Sequence, residues 1–390
     1  MVFIYHKKYL FLSIHNFRSK SPLGFIYDIN MVKKILFLFS LIIGQYAYAQ
    51  APKYSNEFLA IGVGARALSM SGSVVASTSS AYSTYWNPAG LTRMADQRQL
   101  SFMHSEYFAG ISKYDFGNFV TRIDKRSVMA LSMIRFGVDN IPNTSELIDA
   151  EGNINYDKVT TFSAADYAFL VSYARDLDIE GLSVGGNVKI IRRKVGDFGG
   201  SWGFGIDLSA QYKKDDWLFG AVLRDATSTF NAWSFNLDDK MKDVFARTGN
   251  EIPSSSIEIT MPRLNLGAAR SFALPANIGL LVEVDLDITT DGKRNVLISG
   301  DPFSIDPHMG IEIDYQKVIF LRAGIGNIQD ETSFDKGKHK TFQPNIGIGV
   351  RIKKVLTIDY ALTDIGDQSM ALYSNVFSIR FSFTPKKSKE

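Results

Sequence analysis

The sequence predicts an all-β protein: a transmembrane, antiparallel β-barrel of about 14 strands, preceded by a plug-like N-terminal segment. Three features of the 390-residue chain lead to this prediction. An export signal stands near the start, apolar and polar residues alternate with a period of two, and very short connections alternate with long polar ones. The predicted parts are an upstream segment 1–30, a signal peptide 31–49, a plug-like segment 50–97, a barrel 98–385 and a basic tail 386–390.

The first element is the export signal. Residues 31–49, "MVKKILFLFSLIIGQYAYA", contain two early lysines, a long apolar stretch and a small-x-small ending, as signal peptides do. We expect cleavage between Ala49 and Gln50, so that the mature chain begins at Gln50. Residues 1–30 precede this complete signal, and we interpret them as upstream sequence included by a mistaken start codon. The alternative is an extended export signal.

Composition excludes several kinds of chemistry. The chain has no cysteine, which rules out disulfides, zinc–thiolate sites and cysteine nucleophiles. The hydrophobic fraction is 45% and the formal net charge is +3, which indicates neither disorder nor a nucleic-acid partner. After residue 49, no apolar run approaches the roughly 18 residues of a membrane-spanning helix.

The mature chain alternates apolar and polar residues. In "WGFGIDLSAQY", residues 202–212, apolar side chains recur at every second position, and "NIGIGVRIK", residues 345–353, repeats the pattern. Such alternation predicts β-strands. Many segments reach about ten residues, the length of a tilted membrane-crossing strand rather than of a soluble one. The predicted strand cores are 98–108, 112–124, 126–137, 163–175, 181–193, 202–213, 215–224, 261–271, 277–288, 307–315, 317–325, 342–353, 355–363 and 371–384.

The connections also favour a membrane barrel. Those at 213–215 and 353–354 are very short, whereas those near 138–162, 225–256 and 326–341 are long and polar. Short turns at one end and long loops at the other are typical of outer-membrane barrels.

A soluble β-sandwich is the alternative fold. Its polar faces contact water and would be rich in lysine, glutamate and threonine. Here the polar faces carry many glycines and small residues, and aromatic residues stand near strand ends, as in the aromatic girdles of membrane barrels. Both features favour the barrel. The girdle candidates are Trp202, Tyr212, Trp217, Tyr360 and Tyr373.

The polar faces predict a charged barrel interior. In "LLVEVDLDI", Glu283, Asp285 and Asp287 occupy alternate positions, about 6.8 Å apart, which is too far for one metal ion. We expect these acids to line the lumen, with basic residues of other strands as partners. The other lumen-lining candidates are Asp207, Arg322, Arg351 and Arg380, and Lys353 is a further candidate partner.

The segment before the first strand differs from the barrel. Its core, "NEFLAIGVGARALSMSGSVVASTSSAYSTYWNPAGLTRM", is rich in glycine, alanine and serine and carries little charge. Asn87 and Pro88 predict a turn or the start of a short helix, and Gly90 tolerates a positive φ. Small residues allow close packing, so the segment is predicted to fill the barrel mouth.

This segment resembles the PorV/PorQ family of Bacteroidota outer-membrane proteins, within the FadL-like barrel superfamily. The resemblance lies in "GARA" at 64–67 and "YWNPAGL" at 85–91, although Met70 is followed by Ser71 where the family usually has glycine. It implies a protein of the cell outer membrane without catalysis or cofactor. Its implied partners are outer-membrane lipid, a large translocon or assembly partner, and exported cargo proteins. The residues implied as structural parts of the plug are Arg66, Trp86, Asn87, Pro88 and Gly90.

The resemblance implies an accessory role in type IX protein secretion, as a cargo shuttle or translocon-docking component. A FadL-like passive transporter of hydrophobic small molecules is the first alternative. An accessory subunit of the barrel-assembly machine is the second.

Other groupings predict no chemistry. The histidines lack metal-ligand spacing, and Ser209 has no histidine partner for hydrolysis. The basic cluster of "KIIRRK" is interpreted as a strand running into a rim, where lipopolysaccharide or a partner is an alternative contact. Its members are Lys189, Arg192, Arg193 and Lys194.

Overall fold

The computed structural model describes residues 55–148, 152–333, 337–365 and 373–383. The predicted upstream segment, the signal peptide with its cleavage site and the basic tail lie outside these residues. In the described chain the α-helices are α1 Ala65–Ser69, α2 Ser83–Trp86 and α3 Asp239–Arg247, and the 3-10 helices are Glu57–Ala60, Pro88–Arg93, Tyr156–Lys158 and Pro275–Asn277. The strands are β1 Arg98–Tyr107, β2 Ser112–Arg122, β3 Ser127–Asn143, β4 Thr160–Asp176, β5 Leu182–Val195, β6 Gly199–Lys214, β7 Trp217–Arg224, β8 Thr229–Phe235, β9 Ser256–Thr260, β10 Arg263–Leu274, β11 Ile278–Thr289, β12 Ser304–Tyr315, β13 Ile319–Ser333, β14 Gly337–Ile352, β15 Leu356–Thr363 and β16 Ser374–Phe383.

The strands form one closed antiparallel barrel. Neighbouring strands pair around the ring, and β1 closes it against β16, with Arg98 opposite Phe383. The ring has fourteen positions because β7 shares one with β8 and β9 shares one with β10. Along β6, residues 208–214 pair with β7 and residues 199–204 pair with β8. The closed 14-strand barrel confirms the predicted fold class.

Two of the predicted loops are wrong. The predicted loop at 326–341 is mostly strand, because β13 runs to Ser333 and β14 begins at Gly337. The long loop predicted at 225–256 contains β8, and β9 begins at its end. Between β7 and β8, Asp225 and Ser228 adopt left-handed φ values of 53° and 57°. Between β9 and β10 stands Pro262, which has no N–H for the ladder. These interruptions break the alternation, and β8 and β9 are therefore not visible in the hydrophobic pattern.

The described connections at one end of the barrel are all short, and the other end carries the long ones. The short-turn end includes 215–216 and 353–355. The long-loop end includes 144–159, 236–255 and 290–303, and the second of these loops carries α3. Outer-membrane barrels place short turns in the periplasm and longer loops outside the cell. We infer that the long-loop end is extracellular.

The strands present one apolar and one polar face. Along β6, Trp202, Phe204 and Leu208 are 59%, 39% and 54% exposed, while the intervening Asp207 is 3% exposed. The exposed side chains are those that alternation assigns to the lipid. Among the described residues, no helix has the length and apolar character needed to cross a membrane.

The buried core lies between the barrel wall and residues 55–97, hereafter the N-terminal segment. Burial raises the pKa of Tyr82 and of Tyr85, so both phenols remain protonated donors. The Tyr82 hydroxyl donates to the Phe102 carbonyl at 3.0 Å, and the Tyr85 hydroxyl donates to the Leu59 carbonyl. These bonds fix the segment to β1 and to itself.

Candidate functional site

Two buried carboxylates of β11 bind the backbone of the N-terminal segment. Asp285 Oδ2 accepts hydrogen bonds from the N–H groups of residues 74 and 75, each at 2.9 Å. Glu283 Oε1 accepts from the N–H groups of residues 76 and 77, at 2.6 and 3.2 Å. The two acids are 1% and 0% exposed. Their alternate strand positions therefore hold four consecutive amides that would otherwise lack partners.

These contacts correct the expected ion pairing. The acids of β11 are predicted to pair with basic residues of other strands. At Glu283 and Asp285, amides of the N-terminal segment take that place. Asp287 instead accepts from the Asn265 side-chain amide, and His308 Nε2 lies 3.9 Å from its Oδ2.

A chain of alternating charges joins the N-terminal segment to three strands. Arg66 Nε donates to Glu312 Oε2 at 2.8 Å, and Arg322 Nε donates to the same oxygen at 2.6 Å. Arg322 Nη1 then donates to Asp359 Oδ1 at 2.7 Å. Glu312 and Asp359 were not among the predicted residues, although the alternation of "GIEIDY" and "LTIDYAL" turns both inward. Arranged in alternation, each buried charge has an opposite neighbour.

Neither Arg351 nor Arg380 forms a hydrogen bond or an ion pair with this chain of charges in the described structure. The Arg351 guanidinium lies 5.4 Å from the centre of the Phe320 ring. Arg380 Nη2 donates to Thr357 Oγ1 at 3.2 Å. Neither contact involves the acids of β11.

Asp207 belongs to a second charged group. Lys189 Nζ lies 2.8 Å from Asp207 Oδ1 and also donates to Asp225. The Asn187 side-chain amide donates to Asp207 Oδ2 at 3.2 Å. Asp225 stands at the break between β7 and β8, which brings its carboxylate inside the wall.

The predicted basic rim cluster is divided by strand alternation. Lys189 is 5% exposed and points inward, and Arg193 is also inward, 2.8 Å from Asp166. Arg192 lies on the outer face, with its guanidinium 5.1 Å from the Trp202 ring centre. The four residues therefore do not form one basic surface.

Asn87 links three parts of the molecule. Its Oδ1 accepts from the Ala89 N–H at 3.2 Å and caps the 3-10 helix Pro88–Arg93. Its Nδ2 donates to the carbonyls of Val75 and of Ala210 on β6, at 2.8 and 3.1 Å. The helix begins at Pro88, as the sequence analysis allows.

Gly90 and Trp86 are fixed by close packing. Gly90 does not use the positive φ that glycine tolerates, but a Cβ at this position would lie 2.3 Å from the Thr78 carbonyl oxygen. The Trp86 indole donates to the Val63 carbonyl at 2.7 Å, and its ring packs on Gly72, whose φ is 78°. Position 90 requires glycine because the Thr78 carbonyl leaves no room for a Cβ. Position 72 favours glycine both because the Trp86 ring is close and because its φ is positive.

Inward-facing glycines of the wall seat the N-terminal segment. At each position a Cβ would come within 3.0 Å of an atom of the segment. Wall and segment therefore touch at backbone distance around much of the ring. These wall glycines are Gly185, Gly220, Gly267, Gly310, Gly324 and Gly347.

Two spaces remain at the long-loop end. A cavity of about 700 Å³ lies above the N-terminal segment, with Asp287, Asp306 and His308 on one side and Trp86 and Phe136 among its other lining residues. An apolar groove of about 580 Å³, hereafter the rim groove, lies at the strand ends beside α3. Its aromatic and methionine lining is Phe162, Phe198, Trp233, Phe235, Met241 and Phe245.

Within the part of the chain that the structure describes, no three His, Asp or Glu side chains are grouped so as to hold a metal ion. His308 faces the carboxylates of Asp306 and Asp287 at 3.5 and 3.9 Å, while His104 lies on the outer wall beside Asp115.

Sequence comparison connects this geometry to a family. Residues 50–286, more than half of the chain, match the family described as Type IX secretion system protein PorV. No curated protein sequence matches the chain.

Among solved structures, the CymD monoaromatic hydrocarbon channel has a TM-score of 0.51 and 14% identity, over 83% of this chain and 98% of the channel. The Ralstonia pickettii toluene transporter TbuX covers the same shares at 14% identity, but its TM-score of 0.47 adds no weight. At such identities the likeness to CymD shows the fold alone. The family match over most of the barrel shows that the chain belongs to the PorV family and is an outer-membrane β-barrel tied to type IX protein secretion.

Proposed function

We propose that the protein is a non-enzymatic accessory barrel of type IX secretion, which docks on a larger outer-membrane translocon and receives exported cargo at its long-loop end. The observation that carries this proposal is the attachment of the N-terminal segment to the interior wall. An interior occupied in this way favours a role at the outer surfaces over passage through the lumen.

The attachment reaches strands on several sides of the ring. The Ala65 N–H donates to Ser378 on β16 at 3.1 Å, and Asn187 on β5 donates to the Thr84 carbonyl at 2.8 Å. Asp285 on β11 holds the turn at residues 74–75. A buried polar group that loses its partner costs about 1–3 kcal/mol, so withdrawal of the whole segment is strongly opposed.

The rim groove is the proposed cargo contact. It lies at the extracellular end, where exported proteins arrive, and it is lined largely by aromatic side chains, which are enriched at protein interfaces. α3 forms one side with Met241 and Phe245, spaced one helical turn apart. An apolar segment of an exported protein fits this lining.

Transport of hydrophobic small molecules is the second candidate function. The cavity above the N-terminal segment favours it, because apolar residues line part of that cavity. Deletion of the gene separates the two functions: we expect loss of type IX cargo from the cell surface and unchanged uptake of hydrophobic compounds. Normal secretion with a selective uptake defect would overturn the proposal.

Substitution in the rim groove tests the cargo contact. In Met241→Ala/Phe245→Ala, we expect cargo at the cell surface to fall several-fold because apolar contact area is lost. Lys240→Ala is the matched control, since Lys240 lies on the same helix with an 83% exposed side chain. Barrel content of the outer membrane is measured in parallel by heat-modifiable mobility. Equal secretion by both variants would remove the rim groove from the proposed function.

A further inference from the structure

The outer wall differs from one side of the barrel to the other. On β11, every outward position from Ile278 to Ile288 is apolar. Ten residues of a tilted strand cover roughly the 25 Å apolar band of an outer-membrane barrel. β12 continues this face with Ile305, Met309, Ile311 and Ile313. This side of the wall meets lipid over the full height of the band.

On β1–β3 the apolar band is shorter. The outward residues of β3 are apolar from Met129 to Met133, and the next side chain on that face is Arg135. Polar and charged residues then occupy the long-loop half of this face, at heights where β11 still carries apolar residues. We call this set the wall patch: His104, Glu106, Lys113, Asp115, Arg135 and Asp139.

Members of the wall patch contact one another across the strands. His104 is directly opposite Asp115, which is opposite Arg135. His104 Nδ1 lies 2.7 Å from Asp115 Oδ1, and Arg135 Nη2 lies 3.1 Å from Asp139 Oδ1. Arg135 Nη1 is 3.8 Å from the second oxygen of Asp115. The side chains of His104 and Asp115 remain 48% and 43% exposed on a face that would otherwise meet lipid.

A depression of about 470 Å³ lies directly below the wall patch. Its apolar lining includes Phe102, Met133 and Phe377, and its upper edge is formed by the wall patch. Gly117 leaves the space open: the nearest atom to a Cβ there would be Phe102 Cδ1, at 3.6 Å. The depression has the size and lining to accept an apolar side chain from a neighbour.

The charges of the wall patch select the kind of neighbour. Glu106, Asp115 and Asp139 supply three carboxylates, against one arginine and one lysine. Anionic lipid headgroups bind clusters of lysine and arginine, whereas Arg135 is engaged by two of these carboxylates. Charged groups exposed to hydrocarbon are unfavourable and mark functional sites. A neighbouring protein surface with hydrogen-bond donors or a cationic side chain would provide partners for these carboxylates.

We propose that the outer face of β1–β3 is the docking surface for a different outer-membrane protein, which lies beside the barrel in the plane of the membrane. Its donors meet Asp115 and Glu106, and an apolar side chain enters the depression. This assignment rests on the proposed function, because it names the face that contacts the translocon.

Site-specific photo-cross-linking in native outer membranes tests the face. A benzophenone amino acid replaces Lys113 or, as the matched control, Ile311 on the opposite wall. We expect an adduct with one large outer-membrane protein at Lys113 and none at Ile311. Lipopolysaccharide adducts alone, adducts with a second copy of this chain, or equal protein adducts at both positions would overturn the proposal.

A charge-removal variant provides the second measurement. In His104→Leu/Asp115→Leu/Arg135→Leu, the barrel should remain heat-modifiable, because leucine suits a lipid-facing wall, while copurification of the large partner falls at least ten-fold. Leu286→Ala on β11 is the control and should retain the partner. Undiminished copurification would overturn the assignment. Absence of the adduct at Lys113 speaks against this face. An adduct at Lys113, together with normal type IX secretion after deletion of the gene, speaks against the proposed function alone.

Discussion

Among individual residues, Glu283 and Asp285 have an unusual role, because they accept hydrogen bonds from the backbone of the N-terminal segment. Each carboxylate takes two consecutive amides of a turn that lies more than 200 residues away in sequence. A carboxyl oxygen has two lone pairs, so one oxygen of each acid can accept from two neighbouring amides at once. The two acids are two residues apart on β11, and each binds one pair of consecutive amides in the turn.

Asp285→Ala tests this role. The amides of residues 74 and 75 lose their acceptor in a buried site, and we expect the free energy of unfolding to fall by about 2–4 kcal/mol. Urea unfolding in lipid vesicles, followed by tryptophan fluorescence, provides the measurement. Asp285→Asn keeps one acceptor oxygen and should lose less stability. If both variants unfold at the wild-type urea concentration, the carboxylate is not needed to hold the turn.

Among the secondary-structure elements, inward-facing glycines allow the strands to contact the backbone of the N-terminal segment. Gly324 and Gly310 flank Met70, and Gly347 faces Ser69. Because these strands present no side chain at those points, α1 and the turn after it approach the wall directly. A conventional lumen lined by long side chains would hold the segment farther away.

Gly324→Ala should displace the N-terminal segment while sparing the barrel. A Cβ there would lie 2.2 Å from the Met70 carbonyl carbon, which is backbone and cannot rotate away. We expect faster tryptic cleavage after Arg66 or Arg93, measured by mass spectrometry of the folded protein. Gly117→Ala on the outer face is the control, because its Cβ meets only an ordinary contact at 3.6 Å. Unchanged protection in Gly324→Ala would contradict the proposed seat.

The strands and the faces of their residues could be predicted from the sequence, whereas the contacts of the buried charges could not. Alternation places Phe204 outward and Asp207 inward because strand geometry alone decides the face. The partners of Glu283 come from a distant turn, and Asp225 reaches Lys189 only because β7 and β8 are separated by a break. Neither partnership has a local signal in the sequence.

At the scale of the whole molecule, the proposed function requires a barrel that works with its interior closed. Thr84 of the N-terminal segment and Ser132 of β3 place their hydroxyl oxygens 3.0 Å apart. The chain has no cysteine, so a pair introduced there is the only one present. It provides a way to fix the segment in its seat.

Oxidation of Thr84→Cys/Ser132→Cys should leave type IX secretion within about two-fold of wild type. The disulfide holds α2 against β3. A barrel that acts through its outer surfaces does not need α2 and β3 to separate. Surface cargo is compared with and without reductant, and each single-cysteine variant serves as a control. Secretion that stops on oxidation and resumes on reduction would show that the segment must move.

The pairing of β1 with β16 sets an order of assembly. The N-terminal segment directly precedes β1, yet its turn at 74–77 is held by β11, with sequence separations of 207 and 211 residues at two of the contacts. Contacts of such separation require long loops to close, which makes them slow to form. The last seam of the barrel joins the first strand to the last, so most of the ring exists before the seam closes. We therefore expect the segment to enter while the seam is open, because once β1 meets β16 the closed wall surrounds it.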